Sequence, residues 1–154
     1  MLSRAADNLY WMARYIERAE NMARMLDVSY RMSLMPSSDE PRSQWEPPLI
    51  IAGCDAGFTA TGLPLENHNV INYLALDAGN PSSIRRCLQA ARENARAMRS
   101  EITTEMWESI NSTWLEMREM EYAHLVSVGY SDFFEWVKER SHLFRGVTMG
   151  TMMR

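Results

Sequence analysis

Cysteine is nearly missing. Cys54 and Cys87 are the two in 154 residues, with no spacing of a disulfide framework, so a reducing cytoplasm is the expected compartment. No apolar run approaches the roughly 20 residues that span a bilayer, and no membrane partner is expected. The opening Met1-Leu2-Ser3-Arg4-Ala5-Ala6-Asp7 has no signal-peptide apolar core. Excess positive charge is lacking too: a net charge of −4 argues against general nucleic-acid binding. There is no Gly-x-Ser-x-Gly elbow and no phosphate loop, and neither cysteine has a histidine near it in sequence, so nucleophilic catalysis finds little support. No segment alternates as a strand would.

What the chain has is helical periodicity and methionine, 13 of them, a residue that fills irregular cores and also lines adaptable interfaces. The expected fold is all-α, a bundle of about four to six helices with a long first helix, in one domain spanning 1–154. Helix one is expected from about Ser3 to Ser33. Leu2, Ala5, Leu9, Met12, Ile16, Ala19, Ala23, Leu26 and Tyr30 form its core stripe. A second apolar flank runs Trp11, Tyr15, Arg18, Met22, Met25, Met32. The remaining arc carries Arg14, Glu17, Glu20, Asn21, Arg24, Asp27 and Arg31.

Beyond the polar linker Met35–Pro41, the spacing predicts one or two helical turns over Trp45–Ala52 and a loop over Gly53–Gly62. A helix follows over Asn69–Ala78, then one opened by Asn80-Pro81. A break is expected near Ser100, with Ser100 or Thr103 as a new cap. One helix is expected over Glu101–Ser127, and a last one after the Gly129-Tyr130-Ser131 turn, capped by Ser131.

Arg18 interrupts an apolar flank, and burying its guanidinium without a carboxylate would be costly. A salt bridge to Glu93, Glu101, Glu105 or Glu121 is therefore expected; the alternative is a stem laid along Tyr15 and Met22 with its head in water. Glu121 and Arg140 also interrupt apolar stripes and are expected to share one polar network. Arg85, Arg92, Arg96 and Arg99 lie on one helical face. Such a row can grip carboxylates or phosphates, but more often it is a solvated face answering acids such as Glu101, Glu105 and Glu108. The pairs Glu121/His124 and Glu139/His142 have the Glu-x-x-His spacing of di-iron bundles, yet they do not obviously converge. Chance matches on charged helices explain them better, so no metal and no cofactor is expected.

The ordered set of segments resembles a bacterial family named alpha-E, a helical domain with a characteristic Glu-Arg pair. That pair is Glu17-Arg18 within Arg14-Tyr15-Ile16-Glu17-Arg18-Ala19-Glu20-Asn21. Asn80-Pro81-Ser82-Ser83-Ile84, Ala91-Arg92-Glu93-Asn94-Ala95-Arg96, Met106-Trp107-Glu108 with Asn111, and the segment from Val137 to Arg154 complete the likeness. Family members are usually longer, with a second Glu-Arg helix, so the resemblance is to the N-terminal half of a two-repeat protein. It implies company with ATP-grasp ligase-like proteins, transglutaminase-like proteases and amidohydrolases, and thus a role in making or modifying peptides.

Two functions remain open. One is a helical accessory or interaction domain that binds a partner enzyme or a peptide through helix one and the arginine row. The other is an enzyme or small-molecule-binding domain using a polar cluster of Glu17, Arg18, Glu93 and Arg96. The residues proposed for either are Arg14, Glu17, Arg18, Asn21, Arg92, Glu93, Arg96, Glu121 and Arg140. A homodimer is expected as well, burying an exposed stripe of Trp11, Tyr15, Met22, Met25 and Met32, or swapping the Gly146–Arg154 tail.

Overall fold

The computed structural model describes residues 2–36 and 41–152. The Ser37–Glu40 part of the expected linker, and Met153 and Arg154 of the tail, lie outside the described residues. Among them are eight α-helices: α1 Leu2–Ser33, α2 Pro41–Ile51, α3 Asp55–Ala60, α4 Asn67–Ala75, α5 Ile84–Ala97, α6 Thr104–Arg118, α7 Tyr122–Val128 and α8 Tyr130–Met152. The all-α class holds, with more helices than four to six. No described helix is long and apolar enough to cross a membrane.

The four longest of these helices, α1, α5, α6 and α8, pack in a ring. Contacts run α1 to α5, α5 to α6, α6 to α8 and α8 back to α1. Of the core stripe read from α1, Leu9, nearer the start of the helix, is 37% exposed, whereas Met12, Ile16, Ala19, Ala23 and Leu26 are buried and fill the middle. They meet Leu88, Ala91 and Ala95 of α5, Ile110 and Met117 of α6, and Phe134, Val137 and Phe144 of α8 in one core. The short helices α2 and α4 pack on α1 and on each other, and α3 packs on α2.

Several boundaries differ from expectation, for local reasons. The helix α3 occupies what reads as loop, because Phe58 is buried against Tyr73 and tertiary burial overrides a Gly-rich segment. Helix α2 continues through Pro47 and Pro48, which withdraw N–H donors from it. Trp45 and Leu49, each 2% exposed, hold it on the core.

Asn80-Pro81 does not open α5. The buried Asn80 amide donates to the Tyr73 carbonyl at 3.1 Å and accepts from the Ser82 N–H at 3.1 Å, so it ties the preceding loop. Ser83 is the cap, accepting from the Arg86 N–H. Thr103 caps α6 after a 3₁₀ turn at Arg99–Glu101, where the break was expected. The long helix expected over Glu101–Ser127 is divided between α6 and α7, and α8 opens at Tyr130 instead of being capped by Ser131.

Gly129 joins α7 to α8 with φ +99°, a conformation that an L side chain rarely adopts. Gly146 lies within α8, exposed and with open space where a Cβ would stand. We expect Gly129→Ala to destabilise the fold by about 1–3 kcal/mol, and Gly146→Ala to stabilise it by up to about 1 kcal/mol. Urea denaturation of the two variants checks both signs.

Candidate functional site

Adjacent residues on α1 face different neighbours, since each step turns about 100° around the axis. Glu17 lines a hollow with Phe144, Arg145 and Thr148 of α8, and it pairs with Arg14 at 3.5 Å on the surface. Arg18 lines another hollow, a cleft of about 400 Å³ between α1, the end of α2 and the start of α5. Asn21, Met22, Met25, Ile51, Ala52, Ser82 and Cys87 complete that cleft.

Arg18 is exposed, and among the described residues no carboxylate lies within ion-pair distance of it. Its guanidinium carbon sits over the rings of Trp11 at 5.8 Å and Tyr15 at 5.6 Å. The expected salt bridge is therefore absent. Water solvates the head, and two ring faces on the same helix supply the negative potential that a carboxylate would have supplied.

The cleft floor is not nucleophilic. Burial pushes the Cys87 thiol up to about 11, and the nearby Arg18 charge only partly opposes this. Cys87 Sγ donates instead to the Ser82 carbonyl at 3.7 Å. Cys54 is likewise raised, by burial above all.

The other candidate residues sit elsewhere. Arg92 donates to Asn111 of α6 at 3.2 Å, meets Glu93 at 3.2 Å and lies over Trp107 at 5.5 Å. Arg99 stacks on the same Trp107 at 5.6 Å. Arg96 is exposed, and no ion pair is seen between the arginine row and Glu101, Glu105 or Glu108 among the described residues. Glu17, Arg18, Glu93 and Arg96 are thus joined by no hydrogen bond or ion pair between α1 and α5.

Arg140 turns to α6, donating to Thr113 Oγ1 at 2.8 Å, to the Ser109 carbonyl at 3.3 Å and to Ser112 Oγ. Glu121 is an exposed residue at the start of α7, and its side chain makes no capping bond. The two share no bonded neighbour, so the expected common network is not formed: the hydroxyls of α6 satisfy Arg140 in place of a carboxylate. The two Glu-x-x-His pairs also go separate ways, for His142 turns to Glu20 and Arg24. Among the described residues no group of three or more His, Cys, Asp or Glu is placed to hold a metal.

The strongest polar cluster is built on two residues of the polar arc of α1. Glu20 is 5% exposed. It accepts from Ser141 Oγ at 2.6 Å, Arg145 Nη2 at 2.7 Å and Arg24 Nε at 3.0 Å, with His142 Nε2 at 4.0 Å. One heptad on, buried Asp27 accepts from Lys138 Nζ at 2.9 Å and Arg31 Nε at 3.1 Å. Lys138 also reaches Glu135 at 2.8 Å. Burial alone would lower the lysine, but Glu135 and Asp27 outweigh it and hold Lys138 above its ordinary value. A signal was available. Glu20 follows Ile16 by four residues and Asp27 follows Ala23 by four, so both border the core stripe. Lys138, Ser141 and Arg145 share a flank of α8 at matching spacing.

Burial would raise the Glu20 carboxyl, yet Ser141, Arg24 and Arg145 together hold it below its ordinary value. A lowered folded pKa contributes stability that is present above the unfolded value, about 4.3, and is lost as pH falls through the folded one. Glu20→Gln should destabilise by about 1–3 kcal/mol at pH 7 and flatten the loss of stability below about pH 5. Urea titrations of both proteins from pH 7 to pH 3 read this difference. Arg18→Ala, by contrast, should change stability by less than about 1 kcal/mol, the worth of an exposed ring contact, which thermal unfolding measures.

Comparison with known proteins agrees with this architecture. A family model, Alpha-E, described as "a predicted alpha-helical domain with a conserved ER motif", matches residues 1–154. This chain carries the Glu-Arg dipeptide twice, at Glu17-Arg18 and Glu139-Arg140. An uncharacterised protein of Mycobacterium bovis and two of Mycobacterium tuberculosis are each 30% identical over 118 residues. Those matches take in 68% of this chain but 13% of the length of each relative. No solved structure matches. With the family model covering the whole chain, the protein belongs to the Alpha-E family.

Proposed function

We propose that the chain is a helical accessory domain of a bacterial peptide-synthesis or peptide-modification system, working beside an ATP-grasp ligase-like enzyme or a transglutaminase-like protease. The observation that carries a binding role is an open apolar groove between α1 and α2. Met25, Val28, Met32, Pro47, Pro48 and Ile51 line it, over about 460 Å³. Val28 is 58% exposed, Met32 50% and Ile51 72%. Methionine and proline side chains make an adaptable, dry surface suited to a peptide or a segment of a partner.

A catalytic role for Glu17, Arg18, Glu93 and Arg96 has less support, because these residues make no common constellation. Self-association fits the exposed N-terminal flank, where Leu9 and Trp11 are each 37% exposed and Tyr10 is 59% exposed. The stripe expected to be exposed is shorter than it reads, since Met22 is buried and Tyr15 and Met25 are partly buried against the core. Sedimentation equilibrium at micromolar concentration should return the dimer mass, and a monomer mass removes this part of the reading.

The binding role is tested by co-expressing the chain with an ATP-grasp ligase-like protein encoded beside an Alpha-E gene and measuring their complex by light scattering. We expect a complex that Met32→Asp or Ile51→Asp weakens about tenfold or more, as loss of a buried apolar anchor does. If no complex forms and peptide product is the same with and without the chain, the accessory role is wrong.

A further inference from the structure

The cleft at Arg18 and the apolar groove are one surface. Met25 and Ile51 line both. Arg14, Arg24, Arg31, Arg92, Arg118 and Arg145 each meet a carboxylate. Arg18 has only the Trp11 and Tyr15 rings beneath it, and its N–H donors have no acceptor among the described residues. Among the described residues no acidic side chain lines either hollow, in a chain of net charge −4. The groove's other arginine, Arg24, is committed to Glu20. Among the described residues, the unpaired positive charge of this surface therefore lies at the Arg18 end. It extends to the cleft floor, where it opposes the rise of the Cys87 thiol.

We propose that this surface binds the C-terminal end of a peptide, with the free α-carboxylate on Arg18 and Asn21 and the preceding apolar side chains along Met25, Met32 and Pro47. The assignment rests on the binding role proposed above and gives it a ligand class and a direction. A guanidinium fixed over two rings is a ready partner for a planar carboxylate, which it can hold through two parallel N–H donors. Beyond Arg18 the Trp11 and Tyr15 rings stand on α1, so a chain that ends there fits better than one that continues. From Arg18 to Met32 the helix rises about 21 Å at 1.5 Å per residue, the span of roughly six extended residues. An apolar tail of that length would cover the exposed Val28, Met32 and Ile51.

The test uses two randomised hexapeptide libraries enriched in apolar residues, one displayed with a free C-terminus and one fused to its carrier through that end. Both are panned on the whole chain, on Arg18→Gln and on Met32→Asp. Arg18 is exposed, so the first substitution should leave thermal unfolding unchanged. Only the free-C-terminus library should be enriched on the whole chain. The selected peptides, as synthetic acids, should lose about tenfold in affinity on Arg18→Gln or on conversion to C-terminal amides, the worth of one charge-assisted hydrogen bond. They should weaken on Met32→Asp as well. Equal enrichment of both libraries, or affinities indifferent to amidation and to Arg18→Gln, would overturn the carboxylate assignment while the groove stands. Enrichment of neither library would overturn the groove reading and the carboxylate assignment together.

Discussion

Two carboxylates buried on the flank of α1 decide how α8 sits. A buried acid without donors is far less stable than a solvated one, so Glu20 and Asp27 require cations and hydroxyls at a defined height and spacing. Ser141 and Arg145 meet the first, and Lys138 meets the second. Because the acids are seven residues apart and their partners run back along α8, antiparallel packing satisfies both at once. A slip of one turn, about 5.4 Å, would strand both. The apolar core, to which Ile16, Val137 and Phe144 belong, supplies most of the driving force for the bundle, but apolar packing is less exacting about register than this polar seam.

The Glu-Arg dipeptide on α1 shows the same geometry from the other side. Consecutive residues on a helix stand about 100° apart, and here Glu17 goes toward α8 and Arg18 toward the cleft beside α2 and α5. The dipeptide on α8 behaves similarly: Glu139 is exposed while Arg140 reaches the hydroxyls of α6. In both places the arginine turns toward a neighbouring surface of the bundle. At Arg140 that surface is already occupied by Ser109, Ser112 and Thr113. At Arg18 it is open.

Much of the fold was legible in the sequence because helical periodicity records burial directly. Met12, Ile16, Ala19, Ala23 and Leu26 were read as core and are core. The break before α6 and its Thr103 cap were readable from side chains that bond their own backbone. Helix α3 was not readable, since its existence depends on Phe58 meeting Tyr73 from another helix. The candidate site was legible only in part. Arg18 stood out correctly as an oddity, but its resolution by Trp11 and Tyr15 was mistaken for a need for a carboxylate. Glu20 and Asp27 read only as members of the polar arc, because a charged residue on the edge of an apolar stripe looks the same whether it meets water or a lysine. Only the partner helix separates the two cases.

Helix α1 therefore has two working flanks of opposite character. Glu20 and Met25, like Asp27 and Met32, are five residues apart, about 140° around the axis. One flank is a polar seam whose donors and acceptors are paired within the bundle, which makes it directional and poorly suited to exchanging partners. The other is built from Met, Val, Pro and Ile with few hydrogen-bonding demands, a surface that different apolar segments can meet without leaving a buried polar group unsatisfied. Fixing α1 through the first flank holds the second in a constant shape. That division suits the peptide-binding role proposed above, and among the described residues it leaves the Arg18 guanidinium as the unpaired charge at the end of the open flank.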